Sequence, residues 1–270
     1  MELGVNVPNF GPGTDPGVLR EWARTVEGLG FGLLMVSDHV AVTPDVAEKY
    51  PEPFYEPFTT LSWLAGVTTG IRLGTTVLVL PYRHPLLVAR MADSLDRLSG
   101  GRLVLGVGVG WARQEFEALG VPFTARGRLT DEHLAALREA WRARDGGRQI
   151  PVWVGGNSDA AIRRAIRYGD AWHPLRSTLP WLRSALAQHT PPAFAPRITL
   201  RLTTAPVDDP ERLAGTGTLE QVVDDLDQLR RLGAGTVLLD PYHGDPEDTR
   251  RPEAAWQALT AVAAHWKAAS

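Results

Sequence analysis

The sequence predicts a single-domain α/β protein, a (β/α)8 TIM barrel over residues 1–270. Short apolar runs rich in β-branched residues alternate with longer amphipathic stretches, as expected when helices cover a parallel sheet. This alternation occurs eight times, and 270 residues is a typical length for one α/β barrel. No GxGxxG turn follows the first strand, so closure into a barrel is favoured over an open nucleotide-binding sheet.

Each predicted strand is a short apolar run that an amphipathic stretch follows. The strands are predicted at residues 3–10, 33–40, 72–81, 102–109, 150–154, 171–175, 197–207 and 236–240. The helix with the clearest pattern is predicted over 218–232, where leucines and valines recur at helical spacing and Gly233 provides a C-terminal stop. The proline-rich stretch 191–196 is short enough to be a loop, so no linker divides the chain.

Composition and charge exclude several classes of partner. Hydrophobic residues make up 44% and charged residues 22%, which is ordinary for a globular protein. A net charge of -3 without a basic patch argues against nucleic acids and anionic membranes as partners. The sequence has neither a signal-peptide pattern nor an apolar run that could span a bilayer, so we expect a cytoplasmic protein. We expect a small-molecule substrate, and the sequence leaves open whether the protein forms a homodimer.

Metal and hydrolytic chemistry have no support in the sequence. The chain has no cysteine, and its seven histidines do not lie at ligand spacing with carboxylates, so no metal site is predicted. No GxSxG turn follows a strand, which argues against a serine hydrolase.

Candidate site residues lie where the predicted strands end, because the active site of an α/β barrel is built from the loops at the carboxyl ends of its strands. Five strand ends carry polar residues or glycines. They supply Asn9; Asp38 and His39; Thr75 and Thr76; Gly108, Gly110 and Trp111; and Gly155, Gly156 and Asn157. The loop 41–57 after the second strand is also long enough to suggest a functional role.

His39 is the candidate catalytic residue. An imidazole at a strand end can hydrogen-bond a flavin carbonyl or move a proton near neutral pH. A structural histidine is the alternative, and the position at the end of the barrel favours the functional interpretation. Asp38 is expected to cap or orient the turn, and Trp111 to line the cavity.

Two glycine-rich segments have both a functional and a structural interpretation. Gly108 and Gly110 let a planar ring approach the strand backbone, or they mark tight packing inside the barrel. The turn at Gly155 and Gly156 precedes a helix whose N-cap is residue 158 or 159, and free amides at that helix end form an anion site for a cofactor phosphate. An ordinary capped glycine turn is the alternative.

Five segments of the chain resemble a known family. They are SDHV, LGTTVLVLPYRHP, SGGRLVLGVGVGW, PVWVGGNS with GDAWHP, and GTLEQVVDDLDQLRRLGAGTVLL, in this order. The same order is found in the bacterial luciferase-like family, and the chain resembles its branch that uses the 5-deazaflavin coenzyme F-420. The resemblance covers nearly the whole chain. It implies an oxidoreductase that transfers hydride to or from a small organic substrate, with F-420 as the cofactor and FMN as the alternative.

The resemblance also implies roles for particular residues. His39 would lie beside the deazaflavin ring, and the Thr76–Val77 peptide would be cis and bulge against it. Arg128 would point at the cofactor phosphate after the fifth strand, with a surface role on its helix as the alternative. The predicted cofactor-binding set is completed by Asp38, Gly108, Gly110, Gly155, Gly156 and Asn157, and the predicted substrate pocket consists of Asn9 and Trp111.

Two departures from the family bear on the reaction. Deazaflavin-linked dehydrogenases that resemble this chain carry a glutamate just after the glycines of the fourth strand and a tryptophan four residues past the histidine. Here these positions hold Trp111 and Thr43. Because alcohol oxidation needs a group that removes the hydroxyl proton, reduction of an activated double bond or carbonyl is favoured. An FMN-dependent monooxygenase and a non-catalytic flavin-binding protein remain open as alternatives.

Overall fold

The computed structural model describes residues 1–142 and 149–269. The strands are β1 Glu2–Asn6, β2 Leu33–Val36, β3 Arg72–Thr75, β4 Leu78–Val79, β5 Leu103–Gly108, β6 Val152–Gly155, β7 Ala171–His173, β8 Arg197–Thr199, β9 Arg201–Leu202, β10 Thr216–Gly217 and β11 Thr236–Asp240. The α-helices are α1 Pro16–Gly28, α2 Pro44–Ala47, α3 Pro57–Ala65, α4 Pro85–Leu98, α5 Arg113–Ala118, α6 Arg126–Arg142, α7 Asp159–Tyr168, α8 Leu179–Gln188, α9 Leu219–Arg231 and α10 Pro252–Ala269.

The predicted α/β barrel is confirmed. Parallel ladders join the strands in the order β7-β6-β5-β3-β2-β1-β11-β8, and β4 pairs with β5 beside β3. The two ends of this order meet through isolated parallel bridges, one of which joins Leu175 to Arg197. The eight predicted strand positions therefore form one nearly closed barrel.

Several strands are shorter than predicted. The second ends at Val36, because the amide of Ser37 donates to the side chain of Asn9 instead of continuing the ladder. The third is interrupted at Thr76 and Val77, which are joined by a cis peptide bond. The seventh ends at Thr199, and the pair of β9 and β10 forms a separate small sheet beyond it.

Capping side chains explain where several of the helices begin. Thr218 caps α9 and forms a reciprocal capping box with Gln221, while Gly233 follows the helix with a φ of 89°. Ser158 caps α7 by accepting a hydrogen bond from the amide of Ala161. These caps fix the direction in which each helix leaves the carboxyl end of its strand. No helix in the two described ranges is both long and apolar enough to cross a membrane.

The barrel interior has an apolar part and a polar part, because alternate residues of each strand point inward. The apolar part is a buried cluster that contains Leu33, Met35, Val104, Trp153, Ala171, Ala195 and Leu238. The polar part lies at the carboxyl end and consists of Asn6, Thr76, His173, Arg197 and Asp240, all of which are buried. The larger hydrophobic core lies between the strands and the surrounding helices.

Candidate active site

A cavity of about 260 Å³ lies at the carboxyl end of the barrel. The predicted site residues that line it are Asp38, His39, Thr76, Val77, Gly108, Gly110, Trp111, Gly155 and Gly156. Residues that were not predicted to line it include Ser37, Tyr50, Val79, His173, Leu175 and Arg197. The structure therefore brings together residues from several separate strand ends, as the barrel prediction requires.

A buried carboxylate holds the imidazole of His39. Glu115 on α5 accepts a hydrogen bond at 2.7 Å from Nδ1 of His39, and both side chains are almost completely buried. A carboxylate can only accept, so Nδ1 carries the proton. Nε2 of His39 has no hydrogen-bond partner among the residues that the structure describes. In its neutral form the ring therefore presents an unshared lone pair of Nε2 at the cavity.

Glu115 is fully satisfied in this position. Besides His39, it accepts hydrogen bonds from the amides of Val40 at 2.6 Å and Ala41 at 3.1 Å, and from the hydroxyl of Tyr82 at 2.9 Å. Burial opposes ionisation, but the hydrogen bond from His39 and those from the two amides outweigh it and lower the pKa of Glu115. Glu115 is thus an ionised carboxylate that fixes both the imidazole and the turn that follows it.

Aromatic rings surround His39 on its other sides. Tyr50 stacks on the imidazole with ring centroids 5.4 Å apart, and Phe54 and Trp111 meet it edge to face at 5.4 and 5.7 Å. Tyr50 and Phe54 come from the long loop 41–57, for which the sequence predicts a functional role. Trp111 is 46% exposed at the mouth of the cavity. These rings hold the orientation of the imidazole that Glu115 sets.

Asp38 orients the neighbouring strand rather than facing a reaction. Its two carboxylate oxygens each accept a hydrogen bond from Arg83 at 2.8 Å, and Oδ2 also accepts one from the amide of Val79 at 2.8 Å. This buried two-point ion pair joins the end of β2 to β4. It agrees with the expectation that Asp38 orients the turn.

The Thr76–Val77 segment forms one wall of the cavity, and its peptide bond is cis as the resemblance implies. The carbonyl oxygen of Thr76 accepts a hydrogen bond from Arg197 at 2.9 Å. A Cβ atom at Gly108 would lie 2.5 Å from the side chain of Val77, and one at Gly155 would lie 2.7 Å from it. Packing against Val77 is therefore sufficient to require glycine at both positions.

A buried network holds Arg197 in turn. Asp240 accepts hydrogen bonds from Nε of Arg197 at 3.0 Å and from its Nη2 at 2.7 Å, and from Asn6 at 3.0 Å. Burial opposes ionisation of Asp240, but the positive charges of Arg197 and Arg176 outweigh it and lower its pKa. The carboxylate therefore stays charged, and the guanidinium stays aimed at Thr76.

His173 is a neutral imidazole at the floor of the cavity. Its Nδ1 lies against the carbonyl oxygen of Ala195 and must donate to it, so Nε2 accepts from the hydroxyl of Thr76 at 2.9 Å. Burial, with a further effect from the charge of Arg197, lowers the pKa of His173 to about 4. Both nitrogens are occupied, so His173 supports the wall and does not compete with His39 for protons.

The turn before α7 offers free backbone amides, but that of Gly156 is not one of them. The amide of Gly156 donates to the carbonyl of His173 at 3.3 Å, and its φ is 121°. In the described part of the chain, the amides of residues 157–160 have no hydrogen-bond partner. Because these amides begin a helix, their positive dipole end favours an anion. Gly156 therefore contributes its conformation to the turn, and the free donors are the amides that follow it.

Three residues of the predicted cofactor-binding and substrate sets do not line the cavity. The side-chain amide of Asn9 donates to the carbonyls of Ser37 and Tyr55, and the side-chain amide of Asn157 donates to the carbonyl of Leu175. Both side chains therefore join loops. Arg128 is exposed on α6 and pairs with Glu132 one turn away. Its predicted contact with a cofactor phosphate stays a prediction, and the structure gives it the surface position that was the alternative.

Sequence reasoning missed Glu115, His173, Arg197 and Asp240. The signal for Glu115 was its position in a short helix, where it shares one face with the buried residues Ala112 and Phe116. The other three are charged or titratable residues at inward positions of apolar strands, where only a partnered side chain is tolerated. Within residues 1–142 and 149–269, no group of three or more His, Asp or Glu side chains is arranged to hold a metal ion.

Comparison with known proteins gives a family. Residues 1–213 match the protein family described as luciferase-like monooxygenase. Among curated proteins, an uncharacterized protein of Mycobacterium tuberculosis is 33% identical over 180 residues, which cover 56% of this chain and 62% of that protein. The chain thus spans less than two thirds of the length of this relative.

Solved structures of two enzymes have the same fold. The coenzyme F-420-dependent tetrahydromethanopterin reductase from Methanopyrus kandleri superimposes with a TM-score of 0.72 at 16% identity, covering 97% of both chains. The oxygenating constituent of 3,6-diketocamphane monooxygenase from Pseudomonas putida, in complex with FMN, also gives a TM-score of 0.72 at 16% identity and 97% coverage of both chains. At this level of identity the likeness concerns the fold alone.

Proposed function

Because this chain belongs to the luciferase-like monooxygenase family, we propose that it is an oxidoreductase that uses coenzyme F-420 to transfer hydride to or from a small organic substrate. The observation that carries the proposal is the imidazole of His39, which Glu115 holds with Nε2 free at the cavity. The SDHV, GVGVGW and PVWVGGNS segments support F-420 over FMN.

The residues present fit a planar cofactor with an anionic side chain. The cavity wall between Val77 and Trp111 is largely apolar, and the cavity volume of about 260 Å³ lies just below the usual range for small-molecule sites. The unpartnered amides at the start of α7 would receive a phosphate, and His39 would contact the ring from the opposite side. When bound, F-420 supplies a carbon that donates or accepts hydride.

The protein's own part in the reaction is to move one proton. In the oxidation direction, Nε2 of His39 accepts the proton of a substrate hydroxyl while the carbon loses hydride. In the reduction direction, the protonated ring returns that proton to the oxygen that develops charge. Glu115 stabilises the imidazolium in either direction. The glutamate that related dehydrogenases carry after the fourth strand is Trp111 here, but Glu115 supplies a carboxylate beside His39. The site can therefore support both alcohol oxidation and carbonyl reduction.

Direct titration of the cofactor-free protein with F-420 and, separately, with FMN tests the choice of cofactor. We expect tighter binding of F-420, because the proposal assigns the site to the deazaflavin. The variant Glu117→Gln, which changes an exposed residue of α5, provides the matched control and should bind both compounds as the unaltered protein does. Tighter binding of FMN would overturn the assignment.

An FMN-dependent monooxygenase is the second candidate function. The description of the family and the FMN complex of the Pseudomonas putida relative both favour it. Mixing reduced F-420 with a panel of activated alkenes and carbonyl compounds, and reduced FMN with oxygen, separates the two reactions. Cofactor binding without turnover in either reaction would point to a flavin-binding protein.

A further inference from the structure

A second cavity, of about 240 Å³, lies beyond the ends of β8 and β11. We call it the arginine cavity, because Arg176, Arg201 and Arg212 line it together with Thr199 and His243. The described residues that line it include no carboxylate. It lies after the seventh and eighth barrel strands, where barrel enzymes frequently have phosphate sites.

The positive charge around the arginine cavity is only partly compensated. Arg212 makes a two-point ion pair with buried Asp225, and Arg176 shares the single carboxylate of Asp240 with Arg197. Arg201 is exposed and has no ion-pair partner in residues 1–142 and 149–269. Three of the guanidinium groups, those of Arg176, Arg197 and Arg212, thus share the two carboxylates of Asp225 and Asp240, and that of Arg201 pairs with neither.

The neighbouring carboxylates lie outside the arginine cavity. Burial lowers the pKa of His243, so this ring is neutral at neutral pH. Asp248 acts on His243 from the adjacent cavity, Asp224 acts on Arg212, and Asp245 acts on Tyr242. None of these carboxylates lines the arginine cavity, so the charged groups that face its interior are guanidinium groups.

A buried hydroxyl in the arginine cavity also lacks a partner. Thr199 is 7% exposed, and its Oγ1 makes no hydrogen bond to any described residue. Thr199 lies two residues after Arg197 on β8, so both side chains point inward at the carboxyl end of the barrel. An unsatisfied buried hydroxyl is uncommon and destabilising unless a ligand or solvent occupies it.

We propose that the arginine cavity binds an anionic group of the substrate, either a phosphate or a carboxylate. This assignment rests on the proposed oxidoreductase function, whereas anion binding itself does not. Arginine and a hydroxyl donor together match the acceptor geometry of phosphate and carboxylate oxygens. Asp240 connects the two cavities, because it holds Arg197 at the candidate active site and Arg176 at the arginine cavity. A substrate anchored here would reach toward His39.

Calorimetric titration of the cofactor-free protein with inorganic phosphate, and separately with acetate, tests the site. We expect saturable binding of at least one anion. Affinity should fall at least about tenfold in Arg201→Gln and in Thr199→Val, because each loses a donor to the charged ligand. The exposed α1 residue Arg24 provides the matched control, and Arg24→Gln should bind the anion unchanged.

Thermal melting separates loss of the site from loss of the fold. Thr199→Val removes an unpaired buried hydroxyl at constant shape, so the ligand-free variant should melt no lower than the unaltered protein. Thr199→Ser keeps the hydroxyl and should retain anion affinity. Absence of binding by the unaltered protein, or equal affinity in Arg201→Gln, would overturn the proposal.

Cofactor affinity identifies the source of the anion. If the group belongs to the substrate, Arg201→Gln should bind F-420 as tightly as the unaltered protein does while losing phosphate affinity. A parallel loss of both affinities would overturn the assignment to the substrate. Phosphate binding by a protein that shows no F-420 affinity would leave the anion site standing and refute only the proposed function, so the two failures are distinguishable.

Discussion

Replacement of Glu115 by glutamine is the change that most directly tests how the site works. The amide can keep its oxygen on the amides of Val40 and Ala41, which leaves its NH2 group facing Nδ1 of His39. A donor at that position requires Nδ1 to accept, so the proton moves to Nε2 and the tautomer inverts. The free lone pair at the cavity disappears without a change in the shape of either side chain.

The magnitudes follow from the bonds that change. General acid or base catalysis contributes roughly 10²–10⁴ in rate, so kcat/KM for Glu115→Gln should fall at least about 100-fold. Each hydrogen bond to a charged group is stronger than a neutral one by about 1 kcal/mol, and the cost of burying the charge offsets part of this gain. The free energy of unfolding of Glu115→Gln at neutral pH should therefore be lower by about 2 kcal/mol. Glu117→Gln on the same helix should change neither quantity.

The stability difference should also depend on pH in a defined direction. Glu115 ionises in the folded protein with a pKa below the ordinary value of 4.5. Its contribution to the free energy of unfolding is therefore complete above pH 4.5 and is lost as the pH falls through the folded pKa. Urea denaturation of both proteins should show a constant gap above this pH and a closing gap below it.

Three measurements decide the matter. Long-range ¹⁵N spectra report which nitrogen of His39 is protonated, steady-state kinetics report kcat and KM, and urea denaturation reports stability. A folded Glu115→Gln protein that retains the Nδ1–H tautomer, or that turns over at the original rate, would refute the positioning role. A stability gap that widened in acid would contradict the ionised state assigned to Glu115.

Further predictions concern residues around the same cavity. His39→Ala should lower kcat about 100-fold or more while the far-UV spectrum and melting remain those of a folded barrel, and unchanged kinetics would argue against a proton-transfer role. Gly156→Ala should lower the stability of the cofactor-free protein by about 1 kcal/mol, because φ is 121° there. If the turn presents its amides to a phosphate, the cofactor affinity of the folded fraction should fall as well. Unaltered affinity would argue against a phosphate site at this turn. Because the pKa of His173 is lowered from 6.5 to about 4, the folded state binds fewer protons than the unfolded state in this interval. Stability should therefore fall by about 2 kcal/mol as the pH is lowered from 7 to 5, and His173→Asn should remove this dependence. If urea denaturation gives the same dependence of stability on pH for both proteins, His173 is not the group responsible.

The sequence was sufficient for the barrel because its evidence is local. Strand β11 was predicted with its observed bounds, and α9 within one residue at each end, since hydrophobic spacing and caps are written in adjacent residues. The bounds of β2 were overestimated for a non-local reason. Its ladder stops where Asn9, 28 residues earlier, offers Ser37 a side-chain acceptor.

The candidate site was predicted only in part for the same reason. His39 and Trp111 follow strands and can be found by their position, but Glu115 is recognised only by its contact with a residue 76 positions away. Arg197 contacts Thr76 across 121 positions. Side chains that act through such partners leave no periodic or motif signal, so an apolar strand with one charged residue is the strongest hint the sequence can contain.

Two buried ion pairs explain how the cavity keeps its shape while His39 remains free to react. Asp38, paired with Arg83, accepts from the amide of Val79, and Arg197, paired with Asp240, donates to the carbonyl of Thr76. The Thr76–Val77 wall is thus held from both of its ends. Removing Asp240 would leave buried Arg197 without a carboxylate partner, which costs about 3–5 kcal/mol, whereas Arg83 would keep its ion pair with Glu56 after removal of Asp38. Neither pair includes Nε2 of His39, so the groups that fix the wall are separate from the group that exchanges a proton. Substitutions in the ion pairs should therefore lower the free energy of unfolding, whereas substitution of His39 should lower turnover in a folded protein.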